Sequence, residues 1–111
     1  MSAIDVDQVA SQAAQKMLEV LAGTGKQVVG YAEAEAKKLA TSAAEIALLR
    51  VKGEITDEEA QLHLDIQKHA SRAVLMGIEG ISLIGAEQAI NGALSVIGSA
   101  IRTATGLALF A

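Results

Sequence analysis

The chain has no proline, no cysteine and no tryptophan, and its aromatic rings stop at Tyr31 and Phe110. Without proline, nothing in the sequence removes a helical N–H donor or drives a ring into the preceding turn, so long helices are open to it. Without cysteine there is no disulfide, no thiolate nucleophile and no thiolate metal ligand. Half of the residues are hydrophobic (51%), so any core is aliphatic. Positive charge is also scarce. Nine Lys and Arg face thirteen Asp and Glu, the net charge is −4, and no basic cluster occurs, which argues against direct nucleic-acid recognition. The opening MSAIDVDQ carries acids where a secretory signal carries bases, and no apolar run follows, so no cleavable signal peptide is expected. A chain of 111 residues makes a single helical domain (1–111), large enough for a modest core.

What the sequence does have is concentrated in its last third. Between Ala73 and Ala111 there are only three charges, Glu79, Glu87 and Arg102, while glycine recurs at Gly77, Gly80, Gly85, Gly92, Gly98 and Gly106. A glycine inside a helix costs about 0.5–1 kcal/mol relative to alanine, so six of them ask for close helix contact, chain breaks or an environment other than water. The polar residues Arg72, Glu79, Glu87, Asn91, Ser95, Ser99 and Arg102 follow at steps of 7, 8, 4, 4, 4 and 3. On one continuous helix this is about 3.75 residues per turn, a narrow polar stripe on an otherwise apolar surface. Small residues run four apart, as in Gly85/Ala89/Ala93 and Ala100/Ala104/Ala108, and together with Gly77, Gly92 and Gly98 they suit close helix packing. A helix apolar nearly all round must be buried by protein or lipid. The plain form of that burial is the central helix of a soluble bundle.

Upstream, Val6, Val9, Ala13, Met17, Val20 and Leu21 recur at helical steps from a start at Ser2–Asp5 to Gly23-Thr24-Gly25. A second, alanine-rich helix spans about Lys26 to Lys52, with Glu33–Lys37 and Glu45–Arg50 as candidate charge pairs. Gly53-Glu54-Ile55-Thr56 forms a turn, and Thr56 to Glu59 has the capping-box order, so that 1–56 reads as amphipathic helices and a turn. The third helix starts at Asp57 and has no strong stop before about Leu107, so 57–111 reads as one long helix whose apolar segment is 73–111. At 1.5 Å per residue such a rod is ~75 Å long. A globular chain of this size is roughly 26–30 Å across, so two shorter helices cannot cover it. The alternative breaks the helix at Asn91-Gly92 and folds Glu79 back towards Arg102. The polar stripe keeps its phase through Asn91, which favours the continuous form.

The string LLRVKGEITDEE resembles the helix-turn-helix of short oligomerisation modules of the SHOCT type over about 25 residues. The tail, with Gly92-Ala93-Leu94-Ser95-Val96-Ile97-Gly98-Ser99-Ala100-Ile101 after an acidic helical hairpin, resembles in texture phage-derived helical proteins such as internal ejection proteins, tape-measure segments and some holins. That resemblance implies a virion or membrane-associated location. It carries no diagnostic motif.

Chemistry is thin. His63 and His69 are six apart and do not share the helix face that zinc binding needs. Glu79 and Glu87 lack the Glu-x-x-His partners of a carboxylate metal centre. Gly23-Thr24-Gly25-Lys26 follows a helix where a phosphate loop follows a strand. No nucleophile, base and orienting group fall together, so no enzyme, metal, cofactor or small-molecule substrate is expected. The expectation is an all-α chain, a helical hairpin followed by a long glycine/alanine-rich helix, assembled as a homo-oligomeric bundle or tube. The polar stripe would line a lumen or aqueous seam, giving a conduit or membrane-inserting assembly. The alternative is a soluble structural or adaptor bundle whose apolar helix is buried in a protein interface.

Overall fold

Asp5 sets where the first helix starts, because its side chain accepts a hydrogen bond from the Gln8 N–H at 3.1 Å and satisfies one free amide of the first turn. The computed structural model describes residues 5–21, 27–78 and 80–107, and all of their regular structure is helical. The helices are α1 (Val6–Val20), α2 (Gln27–Val51), α3 (Asp57–Met76) and α4 (Leu83–Thr105). The expected boundaries at Ser2 and at Gly23-Thr24-Gly25 lie outside the described residues, as does the phosphate-loop look-alike.

The α2–α3 turn follows the sequence closely. Gly53 adopts φ +76°, where a Cβ is unfavourable, while Glu54 N–H donates to Leu49 O at 2.9 Å and Gly53 N–H to Arg50 O at 3.1 Å. Three residues on, Thr56 Oγ1 accepts from Glu59 N–H and Glu59 Oε1 accepts from Thr56 N–H, a complete capping box worth about 1 kcal/mol. Arg50 donates to Asp57 across this turn, and the hydrogen bond and the charge of Asp57 both raise the guanidinium pKa. The expected Glu45–Arg50 pair is therefore replaced, and Lys37 pairs with Asp7 of α1 rather than with Glu33.

The long third helix is a correction. α3 ends at Met76 and α4 begins at Leu83, so neither the continuous 57–107 rod nor the break at Asn91-Gly92 is correct; α4 runs unbroken through both of those residues. Three features within six residues stop the helix. Gly77 caps α3, Gly80 takes φ +91°, and Ser82 accepts from the Gly85 N–H at 3.0 Å to cap α4. The polar stripe kept its phase on paper because steps of 7 and 8 are close to whole turns, but the chain reverses between them. Instead of ~75 Å, the protein measures 42 Å along its longest axis.

Reversal lets α4 bury its apolar side. α1 packs on α2 and α4, α3 packs on α2 and α4, and α2 and α4 touch across the middle, so α1 and α3 occupy opposite edges. The centre is built from Ala13 and Met17 of α1, Ala32, Ala36 and Leu39 of α2, and Ala89, Ile90, Ala93, Ile97 and Ile101 of α4, all essentially inaccessible. Alanine at half of these positions keeps the helix axes close. The chain's own helices thereby cover the side of α4 that carries Ala86, Ile90, Ile97 and Ile101, while Leu83 and Ile84 at its start stay exposed. α4 closes at Gly106, φ +79°, whose N–H donates to Arg102 O at 2.8 Å.

Candidate functional site

The polar stripe is dispersed by the α3–α4 turn. Arg72 Nη1 donates to Glu87 Oε1 at 3.0 Å, so these two stripe members form an interhelical ion pair that ties the hairpin together. Glu79, and with it the alternative Glu79–Arg102 pair, lies outside the described residues. Asn91, Ser95, Ser99 and Arg102 are exposed on the outer side of α4. Ser95, Ser99 and Thr103 form one wall of a groove of about 610 Å³, Asp5, Gln8 and Gln12 of α1 form the other, and Val96, Ala100 and Ala104 contribute apolar surface between them. Its amide and hydroxyl groups both donate and accept. The one charged group, Asp5, is the helix cap already described.

The expected packing residues divide three ways. Ala89 and Ala93 are fully buried in the core. Gly92 lies under the aliphatic stem of Lys16, where a Cβ would come within 3.1 Å of Lys16 Cγ, and a Cβ on Gly85 would stand 3.2 Å from Ser82 Oγ. Gly98, Ala100 and Ala104 are half-buried, and Gly77 is an exposed cap. These contacts are within one chain.

A different surface emerges on α3. Its inward face carries Ala60, Leu64, Ser71 and Leu75, with Gln67 between Ser42 of α2 at 3.3 Å and Ser71 at 3.4 Å. Its outward face carries Leu62 and Ile66, each 59% exposed, and Met76, 45% exposed, with exposed His69 and Ala73 between them. The helix thus buries Leu64 and Leu75 alongside the Gln67–Ser71 pair and still leaves Leu62, Ile66 and Met76 turned towards water. Leu62, Ile66, His69, Ala73 and Met76 follow at steps of 4, 3, 4 and 3. That signal was present in the sequence. Leu64, between Leu62 and Ile66 in the chain, masks it, because it stands on the opposite side of the helix from the other two.

Among the described residues no group of His, Asp and Glu is placed to hold a metal ion. His63 and His69 are both exposed. Glu35 is buried, but its carboxylate accepts from Lys38 Nζ at 3.1 Å on the same helix. No described helix is long and apolar enough to cross a membrane. The chain matches no protein-family model, no curated protein and no solved structure.

Proposed function

We propose that the protein is a non-enzymatic, self-associating structural helical bundle that works by joining copies of itself through the apolar surface it leaves uncovered. The observation behind this reading is the outward face of α3, where Leu62, Ile66 and Met76 stay exposed although Leu64 and Leu75 already fill the inward face. Isolated exposed aliphatic residues are ordinary, but a row of them down one whole helix is the usual mark of an interaction surface. The conduit reading needed the apolar side of the last helix to be bare; with Ile90, Ile97 and Ile101 covered by the chain's own helices, it loses that support. The proposed setting, a virion or the envelope of a host cell, rests on the textural resemblance of residues 73–111 alone.

Light scattering after size exclusion, over a hundredfold range of concentration, tests the proposal. The expected result is a mass that rises above the 11.4 kDa of one chain as concentration increases. Anionic liposomes should leave that mass unchanged. A single-chain mass throughout, with or without liposomes, overturns self-association. Loss of the oligomer into liposomes would instead restore the membrane-inserting assembly.

A further inference from the structure

We infer that the occupant of the exposed α3 face is the same face of a second copy, laid antiparallel as a short two-helix seam. The inference rests on the self-association proposed above and assigns it a surface, a direction and a register. Steps of 4, 3, 4 and 3 are the spacing at which two helices keep facing each other along their length, a repeat of 3.5 residues. On α3 that spacing falls on the side away from the bundle, with buried Ser71 on the opposite side. Any helix face follows that spacing; what marks this one is that Leu62, Ile66 and Met76 occupy it on the side exposed to water.

Charge selects the direction. The first half of α3 carries Asp57, Glu58, Glu59 and Asp65, while Lys68, His69 and Arg72 lie in the second half. A parallel pair stacks acid on acid and aligns the two helix dipoles unfavourably; an antiparallel pair separates the two Asp57–Glu59 clusters and opposes the dipoles. Charge also selects the register. Pairing Leu62 with the partner's Ala73 and Ile66 with the partner's His69 puts Asp65, beside the seam, opposite the partner's Arg72. Sliding by one repeat pairs Ile66 with the partner's Met76 and brings Arg72 against the partner's Arg72, which is repulsive. Both groups have capacity left. Glu87 takes one of the five guanidinium N–H groups of Arg72, and Gln61 Nε2 donates to one oxygen of Asp65 at 3.1 Å.

The ends of the bundle add to the same geometry. α2 ends at Val51 beside the start of α3, with Leu48 and Val51 exposed, and α4 begins at Leu83 beside its end, with Leu83 and Ile84 exposed. Antiparallel pairing brings the first apolar rim of each copy towards the second rim of the other. A two-fold contact of this kind closes on itself, so it gives a dimer and not an open filament. Its central layers are few, which places it among the small, transient interfaces.

The natural absence of cysteine supplies the test. In full-length chains under oxidising conditions, the double variant Leu62→Cys/Ala73→Cys should give a covalent dimer, while Leu62→Cys alone and Ala73→Cys alone should not. Cross-linking by either single variant indicates parallel, in-register pairing and overturns the assignment. Independently, Leu62→Glu/Ile66→Glu takes four aliphatic side chains out of the two-fold seam and should weaken dimerisation by ~10,000-fold, about tenfold for each, so that sedimentation equilibrium detects no dimer. Its far-ultraviolet circular dichroism should match the parent, because both side chains face away from the core. An oligomer unchanged by these substitutions removes the α3 seam but leaves self-association standing. A parent chain that is monomeric at every concentration removes both.

Discussion

Ile97→Ala lowers the unfolding free energy by about 2–5 kcal/mol, the range for deleting a buried branched aliphatic side chain and leaving its cavity. Ile97 is 1% exposed, on the side of α4 that also buries Ile90 and Ile101. Against a total stability of roughly 5–15 kcal/mol, this is a large fraction, and the melting temperature should fall by ~10 °C or more. Urea denaturation followed by circular dichroism measures it. Its value lies in a second readout, the dependence of the midpoint on protein concentration. If α4 is buried within its own chain, the loss caused by Ile97→Ala is the same in dilute and concentrated samples. If α4 is sheltered by other copies, as the sequence alone suggested, the loss shrinks towards zero in dilute samples, where both parent and variant are already dissociated. A loss below about 0.5 kcal/mol at all concentrations, the level of an ordinary surface substitution, would mean that the side of α4 carrying Ile90, Ile97 and Ile101 is not a core.

How far the fold was readable depended on how local the signal was. The α2–α3 turn was legible because each step is a property of a few adjacent residues: a left-handed Gly53, a Thr56 cap and a Glu59 that completes it. The α1 face was legible for the same reason, since Val9, Ala13 and Met17 repeat at helical spacing and all three are buried. The α3–α4 turn contains comparable signals, Gly77, Gly80 and Ser82, but they stand in a glycine-rich segment where a glycine is weak evidence of a break. The regular polar spacing from Arg72 to Arg102 points the other way, to one unbroken helix. What decides between a rod and a hairpin is non-local: whether α1 offers a face of Ala10, Ala13, Ala14 and Met17 flat enough for α4 to fold onto. The small residues of both helices were visible, but their use against each other was not. The outward face of α3 was missed because apolar residues were counted along the helix without being assigned to sides.

Ala89→Leu and Gly92→Ala should move stability in opposite directions, although the two positions are one turn apart. Ala89 has no accessible surface and sits on the side of α4 that meets the other helices at close range. A leucine there adds three carbon atoms to a space already filled, forcing off-rotamer side chains or a shift of the helix, at a cost of about 1–3 kcal/mol. In the bundle it acts first on the single chain, so helicity and urea midpoint should fall in samples too dilute to associate. Gly92 differs in what it faces. The nearest atom to an added Cβ is Lys16 Cγ at 3.1 Å, part of a long side chain whose ammonium end is exposed and paired only loosely with Glu19 at 3.5 Å. That stem can move by a few tenths of an ångström. The helix then gains by losing a mid-helix glycine, for a net stabilisation of up to about 0.5–1 kcal/mol. If both substitutions destabilise by similar amounts, Lys16 is held as firmly as the core, and glycine at 92 is a packing requirement like alanine at 89. Opposite signs mean that α4 meets its neighbours through its alanines, while Gly92 marks the rim of that contact.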